Sequence, residues 1–392
     1  MNASNDDLLK QVDQHLSNAN QAWLLGAGVS CDAGLPLMAS LTKQVFKLAA
    51  GQAHEQLLKD LQSELAKSAH IEHMLSQLGD YTAIANRVAL GSVTFEGNTY
   101  SVDDLEAAHK AITNDIAKTI RWGYVEATDD VEEKVGGRDN LIVSVDHHLK
   151  FVHALFEKRQ AGLREPRRPV HFFTTNYDTL LEDALALGCY RSWDGFTGGA
   201  VAFREHKFGR EAPSEGLRAK VMKLHGSIDW ILGDEGDVWR VRDTDCYPTR
   251  NGSVLIYPQS TKYVATQKDP FAAQFSMLRD LLGSSSELVL AVCGYSFGDE
   301  HINEELQRAL SLPGNKATLI AFCRESADGL PKDLERWRQS RWGERVYVLT
   351  QRGLYWGAQG PLHQMQKGEH DWWTFQGVTR FLEDGGTEGC DV

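Results

Sequence analysis

The sequence predicts an α/β protein, a doubly wound parallel sheet with a helical insertion after its first strand. Short apolar runs without strict alternation are typical of strands that are covered on both faces. After residue 168 these runs alternate with helical segments, as strands and crossover helices do in parallel sheets. Residues 39–165, in contrast, show mostly helical periodicity, and this pattern indicates the insertion.

An amphipathic helix precedes the first strand. Leu8, Leu9, Val12 and Leu16 recur at helical spacing, and the apolar run of residues 22–25 then ends at a glycine turn. The other predicted strands run from Val170 to Thr174, Lys220 to Leu224, Ser253 to Tyr257, Glu287 to Cys293, Thr318 to Phe322 and Val346 to Leu349. We expect them in the same sheet as the first strand.

These patterns divide the chain into three parts. Residues 1–38 and 166–350 form the sheet domain, which the helical insertion of residues 39–165 interrupts. Within the insertion, residues 92–100 predict a small hairpin. Residues 351–392 form a C-terminal extension.

The C-terminal extension is rich in aromatic residues, among them Trp356, Trp372, Trp373 and Phe375. These side chains either pack on the sheet domain or form an assembly surface. The extension and the insertion, which could cover a crevice at the sheet edge, are the two places where an activity could be controlled.

The composition excludes some classes of protein. The 392 residues are 42% hydrophobic, which excludes a wholly disordered chain. The chain has 41 Lys and Arg residues and 54 Asp and Glu residues, which gives a formal net charge of -13. A phosphate backbone repels such a chain, so we do not expect direct nucleic-acid binding. The cluster of Arg164, Arg167 and Arg168 is interpreted as a solvated loop or, alternatively, as a basic contact patch.

The cysteines predict neither a zinc site nor a disulfide framework. They stand at positions 31, 189, 246, 293, 323 and 390, and no two have a CxxC spacing. No apolar run reaches the length of a membrane span, and the first twenty residues are polar and acidic rather than signal-like. We therefore expect a reduced, cytoplasmic protein without a bound metal.

The first of four motifs is Gly26-Ala27-Gly28-Val29-Ser30, directly after the first strand. Glycines let a backbone turn sharply and approach a pyrophosphate. The third glycine of the dinucleotide fingerprint is missing, because position 31 is Cys31. The motif is therefore either a phosphate-binding turn or a plain tight turn.

The second motif is Thr175-Asn176-Tyr177-Asp178, after the strand that starts at Val170. Asp178 precedes a helical pattern and is interpreted as its N-cap. Asn176 stands at a carboxyl end of a strand, where open α/β sheets bind ligands. Asn176 is therefore either an amide that contacts a ligand or a residue that only forms the turn after the strand.

The third motif is Leu224-His225-Gly226, again at a strand end. A histidine can accept a proton near neutral pH. Most histidines in a chain with 14 of them are structural, but the position of His225 beside a glycine at a strand end favours a role in catalysis.

The fourth motif, Gly294-Tyr295-Ser296-Phe297-Gly298-Asp299, follows the most apolar predicted strand. Asp299 is interpreted as a helix cap, and the glycine turn could hold a nucleotide sugar or phosphate. All four motifs follow strands of one parallel sheet. Together they predict a nucleotide-binding crevice at its carboxyl edge.

In this order the four motifs resemble those of the sirtuin-like (silent information regulator) family, over roughly residues 5–325. Tyr177 and the run Tyr295-Ser296-Phe297-Gly298-Asp299 resemble its bacterial branch, which includes NAD-degrading effectors of antiphage defence. The helix around Ile71-Glu72-His73-Met74-Leu75 resembles one in the insertion of such proteins. The resemblance implies a Rossmann-like sheet that binds NAD.

The resemblance also implies roles for individual residues. Asn176 and His225 match the active pair of the family. The positions that match NAD contacts are Ala27, Gly28, Ser30, Asp178, Gly294 and Ser296. Deacetylating members carry a four-cysteine zinc module and a Phe-Arg pair after the first glycine turn. This chain has no CxxC, and Leu37-Met38-Ala39-Ser40 follows Pro36, which argues against acyl-lysine deacetylation.

By this resemblance we expect an NAD glycohydrolase that needs no metal and acts as an antiphage effector. The resemblance further implies a homo-oligomer and a HerA-like hexameric ATPase as partner. Two alternatives stay open: a sensor that binds NAD or ADP-ribose without hydrolysing it, and a structural subunit that recruits a nucleic-acid motor. The sequence does not distinguish ADP-ribose from a cyclic product.

Overall fold

The computed structural model describes residues 5–129, 131–159, 168–206, 212–213, 215–233, 236–242, 253–256, 269–284 and 287–386. Some residues named in the sequence analysis lie outside these ranges, namely Arg164, Arg167, Cys246, Tyr257 and Cys390.

The α-helices within the described residues are α1 (Asn5–Leu16), α2 (Met38–Ala49), α3 (Glu55–Glu64), α4 (Ile71–Ala85), α5 (Val102–Trp122), α6 (Asp146–His153), α7 (Leu180–Leu187), α8 (Phe271–Gly283), α9 (Glu300–Ser311), α10 (Lys332–Arg338) and α11 (Phe375–Asp384). A π-helix, Ala154–Arg159, continues α6, and short 3-10 helices span Ala27–Ser30 and Gly343–Arg345.

The strands are β1 (Gln21–Leu25), β2 (Ser92–Phe95), β3 (Asn98–Ser101), β4 (Tyr124–Val125), β5 (Lys134–Val135), β6 (Val170–Thr174), β7 (Ser192–Trp193), β8 (Phe196–Gly198), β9 (Val201–Arg204), β10 (Ala219–Lys223), β11 (Gly226–Leu232), β12 (Val238–Val241), β13 (Ser253–Ile256), β14 (Val289–Cys293), β15 (Thr318–Phe322), β16 (Val346–Leu349), β17 (Leu354–Trp356) and β18 (Gln359–Leu362).

The central sheet has the order β18-β17-β16-β15-β14-β1-β6-β10-β7. Strands β16 through β7 are parallel, and β17 and β18 add an antiparallel edge. The chain winds from β1 outward to β6 and β10, then returns to β14 beside β1 and winds the other way. This is the doubly wound, Rossmann-like order, and its topological switch point lies between β1 and β14. The predicted fold class is confirmed.

Apolar layers cover both faces of this sheet. In β1, Trp23 and Leu25 face a layer formed by α1, α6, the π-helix, α7 and α11. Ala22 and Leu24 face the opposite layer, formed by α8, α9 and α10. All five β1 residues are buried, so the apolar run does not alternate with polar residues.

One predicted strand lies elsewhere. Ser253–Ile256 pairs antiparallel with β11 in a second sheet of order β13-β11-β12-β9-β8. The prediction that this run joins the parallel sheet was therefore wrong. Val254 and Ile256 pack on the insertion and Leu255 on Trp230 of the second sheet, so this run is also covered on both sides. A short apolar run indicates such burial but does not identify the strand with which it pairs.

The insertion has a core of its own, formed by α2, α3, α4, α5 and the hairpin β2–β3. This hairpin lies where the sequence predicted one, at about residues 92–100. It meets the sheet domain at Tyr177, Leu180 and Ile228. Residues 146–159 lie in the predicted insertion but pack under the central sheet beside α11. If the insertion is defined by the core in which its residues pack, it ends near residue 145 rather than at residue 165.

The C-terminal extension completes the sheet domain. β17 and β18 extend the central sheet, and Trp372 and Phe375 are buried in the layer that contains α11. Trp356 and Trp373 are half-buried. No helix among the described residues is long and apolar enough to cross a membrane.

Candidate active site

A cavity of about 1090 Å³ opens at the carboxyl ends of β1, β6, β10, β14 and β15. It lies across the switch point of the sheet, where doubly wound folds bind nucleotides. All eight site residues predicted from the sequence line it, namely Ala27, Gly28, Ser30, Asn176, Asp178, His225, Gly294 and Ser296. A volume of this size holds a dinucleotide-sized ligand.

The two glycine turns interlock at the switch point. The Gly28 amide donates to the carbonyl oxygen of Gly294 at 2.9 Å. A Cβ on Gly28 would lie 2.8 Å from Cα of Gly294, and one on Gly294 would lie 2.5 Å from the amide nitrogen of Val29. Gly294 also has a φ of +65°, which favours glycine. Glycine is therefore required at positions 28 and 294 because the two backbones touch there, in addition to any space that a ligand needs.

A chain of polar side chains joins the first two motifs. Nδ2 of Asn176 donates to Oγ of Ser30 at 3.1 Å, and that hydroxyl donates to Oδ2 of Asp178 at 2.9 Å. Oδ1 of Asp178 accepts the amide of Leu180 at 3.0 Å, so Asp178 also stabilises the start of α7. Oδ1 of Asn176 is buried and has no hydrogen-bond partner among the described residues. A buried orphan acceptor is costly unless a ligand or water satisfies it.

The third and fourth motifs meet through His225 and Asp299. Nε2 of His225 lies 2.9 Å from Oδ2 of Asp299, and both side chains are 4% exposed. Oδ1 of Asp299 accepts the amides of His301 and Ile302 at the start of α9. Sequence reasoning found the capping role of Asp299 but not its contact with His225.

The insertion reaches the site through Tyr177. Its hydroxyl donates to Oε1 of Glu72 on α4 at 2.5 Å, and both residues are buried. Burial, with the Glu72 carboxylate beside it, raises the pKa of Tyr177 well above its ordinary value. Tyr177 therefore stays neutral and donates. Glu72 and His70 also line the cavity, so the insertion forms part of its wall.

Further titratable side chains are buried close to Asp178. Nζ of Lys223 donates to the carbonyl oxygen of Asp178 and lies 3.2 Å from Oε1 of Glu182. His148 is 1% exposed, and burial lowers its pKa to about 4, against the opposing effect of Asp178. His148 is therefore neutral at physiological pH.

The far end of the cavity contains residues that sequence reasoning missed. Arg324 follows β15, and its Cζ lies 4.7 Å from the ring centroid of Trp373. Both residues line the cavity. Nothing in the local sequence pairs a residue after β15 with one before α11, because only the tertiary fold brings them together.

His, Cys, Asp and Glu side chains, which are possible metal ligands, occur throughout the part of the chain that the structure describes. No group of three or more His, Cys, Asp or Glu there is arranged to hold a metal ion. Cys31, Cys189, Cys293 and Cys323 are free thiols. Burial raises the pKa of Cys31 to about 11, which makes it a poor nucleophile.

Residues 170–347 match the family model described as a SIR2-like domain. The matched residues run from β6 into β16 and include Asn176, His225 and Gly294, whereas the glycine turn after β1 precedes them. The match covers less than half of the chain and shows that this part is similar to SIR2-like domains, which are typically NAD-dependent enzymes. The search of the curated proteins gave no match.

Proposed function

We propose that this protein, which contains a SIR2-like domain at residues 170–347, is an NAD glycohydrolase. The observation that carries the proposal is that Asn176 and His225 line one cavity at the switch point, each held by buried polar partners. The domain supports NAD as the ligand, and the two side chains supply the groups that hydrolysis needs.

The reaction breaks the bond between C1′ of the ribose and the pyridinium nitrogen. The electron pair of this bond passes to the nitrogen, so nicotinamide departs as a neutral molecule and needs no proton. An oxocarbenium-like ribose remains, and the oxygen of a water molecule adds to C1′ as a proton leaves. The protein must therefore hold the dinucleotide, direct one water and accept one proton.

Asn176 is the residue we assign to the water or the ribose hydroxyls. Its Nδ2 donates to Ser30, and this contact fixes the amide so that Oδ1 is the remaining acceptor. An acceptor at this position can orient an O–H group of either ligand. Ser30 and Asp178 then act as positioning residues, because they hold the amide without being needed as proton carriers.

His225 is the residue we assign to proton uptake. Nε2 of His225 lies 2.9 Å from Oδ2 of Asp299, so the carboxylate orients the imidazole, and an imidazole can accept a proton near neutral pH. A carboxylate behind an imidazole also stabilises the charge that the ring gains. No metal takes part in this mechanism.

The glycine turns offer a pyrophosphate open space, but two of their amides already donate to backbone carbonyl oxygens. Gly26 donates to the carbonyl of Cys293 at 3.0 Å, and Gly28 donates to that of Gly294 at 2.9 Å. We therefore propose that these glycines let the phosphates approach closely, while the fixed loops keep the crevice open.

Nicotinamide release from NAD tests the proposal. We expect the purified protein, alone or together with a HerA-like ATPase, to release nicotinamide, and His225→Ala to lose roughly 10²–10⁴-fold in turnover while remaining folded. His153→Ala is the matched control, because His153 contacts Tyr190 and is not among the residues that line the cavity. Unchanged release by folded His225→Ala would contradict the role of His225. Tight NAD or ADP-ribose binding without release would favour the sensor instead.

The defence role, the homo-oligomer and the HerA-like ATPase partner are proposals that rest on the resemblance. Light scattering of this chain with and without such an ATPase, followed by the release assay on the same samples, tests the homo-oligomer and the partner together. Nicotinamide release that occurs only in the complex would support an effector whose activity the ATPase controls. A stable complex that never releases nicotinamide would favour the structural-subunit alternative.

A further inference from the structure

We infer that the C-terminal segment supplies the adenosine end of the crevice, with Trp373 as the surface on which the adenine ring stacks. This inference rests on the proposed function, since it assigns the second half of the same ligand. Residue 373 lies beyond the matched SIR2-like domain at 170–347, so the domain match does not contain it.

The order of the strands fixes the direction of the ligand. His225 follows β10 and Asn176 follows β6, so the reacting ribose belongs at this end of the cavity. The interlocked turns of Gly28 and Gly294 follow β1 and β14, and Arg324 follows β15. Strands lie about 4.8 Å apart, so β15 is roughly 14 Å from β6. With the ribose at one end and the phosphates at the switch point, the adenosine must lie over β15.

Trp373 is held between two buried aromatic anchors. Trp372 stacks on His370 with ring centroids 3.8 Å apart, and Phe375 packs on Phe151 at 4.9 Å. Trp373 itself is only half-buried and lines the cavity. The fold therefore positions a large aromatic ring whose own burial is incomplete.

The first turn of α11 also joins the segment to the glycine motif. Oγ1 of Thr374 accepts the amide of Gly377 at 2.9 Å and caps the helix. Nε2 of Gln376 donates to Oδ2 of Asp32 at 3.1 Å, and Asp32 lines the cavity beside the first glycine turn. The C-terminal segment is thus a wall of the crevice from the glycine turn to β15.

The chemistry of this wall suits a purine. Arg324 is exposed, and its guanidinium lies over the Trp373 ring. Such a contact is weak at an exposed site, so the guanidinium can turn aside and uncover the ring. Aromatic rings bind the π-face of a base by stacking, and arginine adds a favourable cation–π contact.

Binding of ADP-ribose, the adenosine-containing probe, tests the inference by calorimetry on the full chain. We expect Trp373→Ala to weaken ADP-ribose binding roughly tenfold or more and Trp373→Phe to retain most of it, since phenylalanine keeps a stacking surface. Trp356→Ala is the matched control, because Trp356 is also half-buried in the extension but lies outside the cavity lining. In the release assay, Trp373→Ala should raise KM for NAD with kcat retained, because adenosine lies away from the bond that breaks.

The outcomes separate this inference from the proposed function. Unchanged ADP-ribose binding by Trp373→Ala, equal weakening by Trp356→Ala, or no binding by the unmodified protein would overturn the inference. If ADP-ribose binding depends on Trp373 but no nicotinamide is released, the glycohydrolase proposal fails and the adenosine subsite stands. If nicotinamide is released and Trp373→Ala leaves KM and ADP-ribose binding unchanged, the subsite fails and the glycohydrolase stands.

Discussion

The carboxylate of Asp299 joins the imidazole of His225 to the start of helix α9. Its Oδ2 lies 2.9 Å from Nε2 of His225, and its Oδ1 accepts the amides of His301 and Ile302. The two oxygens thus have separate partners. Because of this division, the capping role and the role beside His225 can be tested separately.

Asp299→Asn should preserve the helix cap and impair turnover. Asparagine caps helices as well as aspartate, but a neutral amide no longer stabilises a charged imidazole. We expect nicotinamide release to fall by roughly 10²-fold or more with little change in melting temperature. Asp299→Ala should in addition lose about 1 kcal/mol of stability through the missing cap. Full turnover by Asp299→Asn would show that Asp299 only caps α9.

Asp299 also shows what the sequence does and does not predict. The strand ends were predicted, because apolar runs followed by glycine or polar residues mark the carboxyl edge of a parallel sheet. The contact of Asp299 with His225 was not, because the two residues belong to different crossover units and only strand order brings them together. The position of Trp373 beside Arg324 was missed for the same reason.

The same limit explains two differences in the fold. The Ser253–Ile256 run pairs in the antiparallel sheet, since burial in β13 and in the parallel strands produces similar apolar runs. The helical pattern of residues 146–159 continues that of the insertion, although Phe151 and Phe156 pack under the central sheet. Periodicity predicts a helix and its apolar face, but not the layer against which this face packs.

Asn176→Ala should lower turnover much more than it weakens NAD binding. The Asn176 amide is held by Ser30, and a short amide at this strand end contributes little to gripping the phosphates near Gly28. An interaction made mainly in the transition state lowers kcat rather than affinity. Calorimetric NAD titration and nicotinamide release on one preparation measure both. If the variant turned over normally but melted at a lower temperature, Asn176 would be a turn residue only.

Gly294→Ala should destabilise the protein and close part of the crevice. The new Cβ would lie 2.5 Å from the amide nitrogen of Val29, at a φ of +65°. Strain at positive φ and overpacking together cost about 2 kcal/mol or more. Gly314→Ala is the matched control, because Gly314 has a φ of +83° but nothing within 4 Å of the Cβ position. Denaturant unfolding compares them, and equal losses in both variants would mean that the interlocked turns have room for a methyl group.

His148 should make the protein sensitive to acid between pH 6.5 and about 4. Burial lowers its pKa from the ordinary value of 6.5 to about 4, so in this range the unfolded chain binds a proton that the folded chain does not. Stability is therefore full above pH 6.5 and is lost as the pH falls toward 4, by up to about 3 kcal/mol. Burial lowers the pKa of His171 to about 4 as well, so this residue contributes in the same direction.

The variant His148→Leu removes the titrating group and keeps an apolar contact with Phe375, whose ring centroid lies 4.9 Å from that of His148. Urea unfolding at pH 7 and pH 5 should then show a smaller loss of stability than in the unmodified protein. His171→Leu should reduce the loss independently, and the double variant should reduce it further, because neither side chain contacts the other among the described contacts. If His148→Leu lost as much stability between pH 7 and pH 5 as the unmodified protein, protonation of His148 would not be the source of acid sensitivity.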